Sequence, residues 1–209
     1  VHARVNDFDI INSSWGNNVA LGDNTKIDFI STDTSAITAE FENLANLGRD
    51  GLGANIVFSA GNLRAAGQSS NYKNYQNSPY TITVGAIAED GTYALFSDAG
   101  SNLLVTAPGD NLLVSNPNDV NSANVISGTS FSAPAVSGVI ALMLEANPDL
   151  GYRDVQEILA MSSRQVDVGG TGWAGEGWQF NGAENWNGGG MHFSHCLLYT
   201  SPSPRDWLQ

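Results

Sequence analysis

Gly128-Thr129-Ser130-Phe131-Ser132-Ala133-Pro134 opens a run that continues Ala135-Val136-Ser137-Gly138-Val139-Ile140-Ala141-Leu142-Met143-Leu144-Glu145-Ala146. From Ser130 to Ala146 the run is apolar nearly all round, the pattern of a helix buried at the centre of a domain. Asn147-Pro148 ends it, because the residue before a proline avoids helical geometry. Short apolar runs precede it: Phe8–Asn12, Ala54–Ser59 and the β-branched Tyr80–Ile87, each leading into a loop. Leu103–Thr106 and Leu112–Val114 read as short strands around the turn Ala107-Pro108-Gly109-Asp110. Helical spacing appears over Ser31–Gly51, with Ile37, Phe41, Leu44 and Leu47 on one stripe. Thr32 or Asp33 can cap its start, and Gly48 and Gly51 sit where it would stop. A further helix is expected over Tyr152–Ser163, with Val155, Ile158 and Leu159 on one face. Gly169–Gly190 has no period and reads as loop, and no internal repeat is visible. Strands alternating with helices predict an α/β fold with a mainly parallel sheet.

The chemistry starts at Ser130. A serine hydroxyl is a weak nucleophile that needs a base and a site that stabilises an oxyanion. A helix N-terminus offers unpaired N–H groups and a partial positive charge. Gly128 lets a backbone approach closely. Pro134 leaves the Ser130 carbonyl without a helical donor. The same pattern also suits a plain N-cap on a buried helix. It is not the elbow Gly-x-Ser-x-Gly, because position 132 is serine. Ser59-Ala60-Gly61-Asn62 follows a buried run, and an amide donor at Asn62 could complete an oxyanion hole; alone, Asn62 reads as a turn residue. Asn12-Ser13-Ser14-Trp15-Gly16 could present an open backbone edge to an extended peptide.

Together and in this order, these three segments resemble the subtilisin-like serine proteases. Leu144–Leu150, Tyr152–Gln156 and Asn77–Gly85 extend the resemblance toward the kexin and proprotein-convertase branch or a bacterial relative. It covers about Phe8 to His195. It implies a three-layer α/β domain with a mainly parallel sheet and a buried central helix starting at the nucleophile, and hydrolysis of peptide bonds through an acyl-enzyme. Carried over, Ser130 is the nucleophile and Asn62 the oxyanion side chain. Ser14, Trp15 and Gly16 line one side of the first specificity pocket, and Ser59, Ala60 and Gly61 the other. Partners are protein or peptide substrates, no cofactor is required, structural calcium is compatible, and the family expectation is export to an extracellular, cell-surface or periplasmic location.

Two features depart from the pattern. The family's Asp and His precede the serine in the chain order Asp, His, Ser, and no His-Gly-Thr occurs here. His2 has the wrong neighbours, and His192 and His195 follow the serine. Residues 1–195 are therefore expected to be the C-terminal two-thirds of a peptidase domain truncated at its N-terminus, and inactive alone. A pseudo-protease or peptide-binding module keeping the cleft is the alternative, and an acidic adhesion domain a more distant one. Kexin-type enzymes also select basic residues with acids near the first pocket. The matching positions here hold Asn18 or Val19, and Lys73, whose charge would repel a basic side chain, so a dibasic preference is not expected.

The 209 residues carry 8 Lys+Arg against 21 Asp+Glu, a net charge of -13. That surface disfavours nucleic-acid backbones and anionic membranes. No uninterrupted apolar run reaches the roughly 18 residues of a membrane span. Residues 196–209 read as a non-native tail. TGT CTC TTA TAC ACA TCT, a transposase adapter read in one frame, encodes Cys-Leu-Leu-Tyr-Thr-Ser, the residues from Cys196 to Ser201. The other reading is a genuine Ser/Pro-rich linker. Without the tail the chain keeps its net charge and loses its single cysteine, which excludes a disulfide framework and a cysteine nucleophile. His192-x-x-His195-Cys196 makes a poor metal site, and no Asp-x-Asp-x-Asp calcium loop is present, so no metal ligand is assigned.

Overall fold

The computed structural model describes residues 7–16, 32–167, 179–180 and 192–194. Four strands form a parallel sheet in the order β1 (Ile10–Ser13), β2 (Asn55–Ser59), β3 (Thr81–Ile87) and β4 (Leu103–Pro108). Ser13 pairs with Phe58 and Ser59 with Val84, so the carboxyl ends of β1 and β2 lie side by side, while β3 runs three residues further. Among the described residues three α-helices accompany the sheet: α1 (Thr32–Leu47), α2 (Thr129–Ala146) and α3 (Tyr152–Ser162).

Strand β2 shows why the domain has three layers. Alternate side chains of a strand point to opposite faces. Ile56 and Phe58 pack with Phe41 and Leu44 of α1. Val57, between them, packs in a separate cluster with Val84, Val105, Val136, Ile140 and Val155, which belong to the sheet, α2 and α3. All five β2 residues are buried, as a strand covered on both faces must be. This is the three-layer α/β arrangement anticipated from the sequence.

Helix α1 ends at the first of its two expected stops, just before Gly48. It stops at Leu47, and a single tight turn spans Arg49–Gly51. Arg49 and Asp50 adopt φ of 50° and 55°, outside helical space. The Arg49 guanidinium holds the turn by donating to Leu150 O at 2.7 Å, Pro148 O at 2.7 Å and Gly53 O at 3.3 Å, and it pairs with Asp9 at 3.1 Å. Ile37, expected on the apolar stripe, has its side chain outside the described residues.

Strand β5 (Leu112–Asn116) pairs with β6 (Asp119–Ile126) in an antiparallel hairpin. The sequence did not reveal β6, because Asp119-Val-Asn-Ser-Ala-Asn-Val-Ile126 buries too little to carry a clear apolar pattern. Its paired Leu113 and Val125 are themselves exposed. Two short strands, β7 (Gln179–Phe180) and β8 (His192–Phe193), also pair antiparallel. Strand β7 corrects the reading of Gly169–Gly190 as loop at those two residues. The rest of that segment, and the tail at 196–209, lie outside the described residues.

Helix α2 begins where expected but is not enclosed on all sides by the described residues. Thr129, Ser132, Ala133, Val136 and Ile140 form its buried face. Phe131, Val139 and Leu142 are exposed to 37%, 49% and 66%. The physical reason is the layering: the sheet and α3 cover one side of α2 only. Its 18 residues are long and apolar enough to cross a membrane by length and composition. Its packing against β1–β4 gives that composition another explanation, a helix laid on a sheet.

Candidate functional site

All three segments singled out in the sequence meet at one edge of the domain. Ser14–Gly16 leaves the carboxyl end of β1, and Ala60–Asn62 leaves the carboxyl end of the neighbouring β2. The N-terminus of α2 arrives at the same place. In open α/β sheets this edge is where ligands bind, because loops diverge there and helix N-termini supply donors. Gly128 precedes α2 at φ 157°, and a Cβ there would come within 3.4 Å of Asn62 Nδ2.

Ser130 and Ser14 are joined by two reciprocal hydrogen bonds. Ser14 Oγ donates to Ser130 O at 2.9 Å, and Ser130 Oγ donates to Ser14 O at 3.1 Å. The first bond answers the consequence of Pro134. The carbonyl that a helical N–H would have satisfied is taken instead by a hydroxyl from another strand. Asn12 Nδ2 in turn donates to Ser14 Oγ at 2.9 Å, which orients that hydroxyl. Among the described residues the Ser130 hydroxyl therefore meets a carbonyl and no imidazole. His2 and His195 lie outside the described residues, as does the side chain of His192.

Asn62 is anchored through its oxygen. Its Oδ1 accepts from Thr129 N at 2.9 Å and from Thr129 Oγ1 at 2.8 Å. A backbone N–H can only donate, so the oxygen end of the amide is fixed and Nδ2 is left as the outward donor. Asn62 is exposed, and its Nδ2 lies beside Gly128 at the head of α2. Thr129, which the sequence reading passed over, has no exposed surface. Its Oγ1 also accepts from Gly61 N at 3.1 Å. One hydroxyl thus ties the β2 loop to the first turn of α2. The Ser130 N–H, in that first turn, has no acceptor within the helix.

The residues expected to flank the first specificity pocket lie on the two neighbouring strand ends. Trp15 is 57% exposed and meets Phe58 and Tyr75 edge-on, each at 5.6 Å between ring centroids. Ser59 and Ala60 are buried, and Gly61 is partly buried. Gln76, also unforeseen, reaches both segments: its Nε2 donates to Ser59 O at 3.2 Å and lies 3.2 Å from where a Gly16 Cβ would be. Nothing local in the sequence marks Gln76, because the loop before β3 brings it there.

Lys73 corrects the charge argument made from the sequence. It is buried, and its Nζ donates to Asp98 Oδ2 at 2.7 Å and to Ala60 O at 3.0 Å. Its charge is neutralised within the protein, so electrostatic repulsion of a basic substrate by Lys73 does not follow. Asn18 and Val19 lie outside the described residues.

This edge defines the class: a three-layer α/β protein that presents a serine and fixed polar donors at a helix N-terminus beside open strand ends. Comparison with known proteins supplies the membership. The model of the subtilase family, peptidase S8, matches residues 2–185, and the chain belongs to that family. It is 37% identical over 123 residues to Protease KEX1 of Kluyveromyces lactis, covering 57% of this chain and 16% of that protein. It is 36% identical over 162 residues to kexin of Candida albicans, covering 76% of this chain and 17% of that protein. Among solved structures, the serine protease of Aeromonas sobria superposes with a TM-score of 0.72 at 25% identity, over 92% of this chain and 41% of that one. The chain thus spans about a sixth of the length of these curated relatives.

Proposed function

We propose that this edge carries out serine-protease chemistry on peptide or protein substrates, with Ser130 as nucleophile. Ser130 Oγ would attack the scissile carbonyl after a histidine takes its proton, with an aspartate orienting and stabilising the imidazolium. Both partners come from outside the described residues. The tetrahedral oxyanion would accept hydrogen bonds from Asn62 Nδ2 and the Ser130 N–H. Ser14–Gly16 and Ser59–Gly61 would flank the substrate backbone as it adds to the open strand ends. Water would then release the acyl group. An extracellular or secretory location accords with this reading.

The observation that carries the proposal is the two-point anchoring of Asn62 by Thr129. It spends the amide's acceptor on the protein and leaves its donor beside the helix that bears Ser130. The test is labelling by a fluorophosphonate–rhodamine probe. The complete gene product should label rapidly, Ser130→Ala should abolish labelling, and the 209 residues alone should not label. A complete gene product that folds but does not label would favour a cleft that binds peptides without cleaving them. Rapid Ser130-dependent labelling of the 209 residues alone would place the base within this chain.

A further inference from the structure

Resting on the reading of Asn62 as oxyanion donor, we propose that Lys73 and Asp98 form a buried ion pair that positions the Ser59–Asn62 segment for catalysis. Lys73 stood out in the sequence only as a charge near the first pocket, and Asp98 not at all. Their side chains are 7% and 0% exposed. The pair's other side-chain hydrogen bonds, and the Asp98 N–H, go to the loop that carries Asn62. Lys73 Nζ holds Ala60 O at 3.0 Å. Asp98 Oδ1 accepts from Leu63 N at 2.9 Å, and Asp98 N donates to Gly61 O at 2.9 Å. The loop is therefore gripped at residues 60, 61 and 63, on both sides of Asn62. Gly61 lies against the pair: at φ 115°, a Cβ there would sit 1.9 Å from Lys73 Nζ and 2.3 Å from Asp98 Oδ2.

Burying two opposite charges adds little net stability against apolar residues of the same size, because desolvation offsets their attraction. A buried pair whose side-chain bonds go to one loop fixes geometry instead. The loop geometry matters because an oxyanion donor acts on charge that develops only in the transition state. A displacement of about 1 Å in such a group can cost on the order of a hundredfold in rate. Lys73 and Asp98 are positioning residues, acting through Asn62.

The experiment measures kinact and KI for the fluorophosphonate–rhodamine probe on the complete gene product. Lys73→Met with Asp98→Asn removes both charges, leaves no unpaired ion and keeps an acceptor for Leu63 N. This double variant should lower kinact by about ten- to a hundredfold with KI changed less than about threefold. In an Asn62→Ala background the same pair of changes should alter kinact by less than about threefold, since the donor being positioned is gone. Should the double variant fail to fold, Lys73→Gln with Asp98→Asn, which also leaves no unpaired ion, makes the same comparison. Wild-type kinact in a folded variant overturns the proposal, and so does a loss that multiplies independently with that of Asn62→Ala. If Asn62→Ala by itself leaves kinact unchanged, the oxyanion reading fails instead, and the two failures are distinguishable.

Discussion

Replacing Thr129 by Val removes one hydroxyl and almost no volume. That hydroxyl donates to Asn62 Oδ1 at 2.8 Å and accepts from Gly61 N at 3.1 Å, at a residue with no exposed surface. Valine can do neither. Gly61 N–H would lose its acceptor in a partly buried place, at a cost of about 1–2 kcal/mol. Asn62 Oδ1 keeps the Thr129 N–H, so its half of the loss is smaller. For a domain of this size each kcal/mol lowers Tm by about 2–4 °C, so thermal unfolding should shift down by roughly 2–8 °C. Catalysis should fall by less than the factor of about 10²–10³ that removal of the oxyanion donor costs, a magnitude established on a subtilisin, a member of this same family. Thr129→Ser keeps the hydroxyl and should keep the rate. The assay is thermal unfolding followed by circular dichroism, with probe labelling on the same samples. If Thr129→Val melts with the parent and labels at the parental rate, the two hydrogen bonds do not anchor Asn62 and the reasoning is refuted.

Two further outcomes follow from the same geometry. Ser14→Ala should destabilise by about 1 kcal/mol by stripping the donor from Ser130 O, and should cost less in a Pro134→Ala background, where a helical N–H is restored; equal costs in both backgrounds, measured by urea denaturation, would show that Ser14 does not substitute for the missing donor. Arg49→Met should destabilise by about 2–3 kcal/mol, because its guanidinium satisfies carbonyls at Gly53, Pro148 and Leu150 together. Arg49→Lys should recover little of this, since a point charge cannot span three acceptors; full recovery in a denaturant titration would count against that account.

The candidate site was readable to the extent that each segment carries its own local signature. Gly128-Thr129-Ser130 heads an apolar run, and Asn62 and Ser14 follow apolar runs at strand ends. The donors and acceptors that hold those residues were not readable. Asp98 sits in a stretch with no apolar period, and Lys73 read as a cleft charge because its partner is 25 positions away. Helix α2 was read as enclosed because composition reports how apolar a helix is and not how many layers surround it.

The sequence by itself determined the alternation of strands and helices, the place of α2 and the chemical types gathered near its start. These depend on local periodicity, capping and proline, which act within a few residues. Only the tertiary structure decided that Ser14 replaces the donor lost at Pro134, that Thr129 aims the Asn62 amide, and that Lys73 is spent on Asp98. Each of those bonds joins residues 25 to 116 positions apart. Their partners are chosen when the parallel strands align their carboxyl ends, and no local pattern encodes that choice.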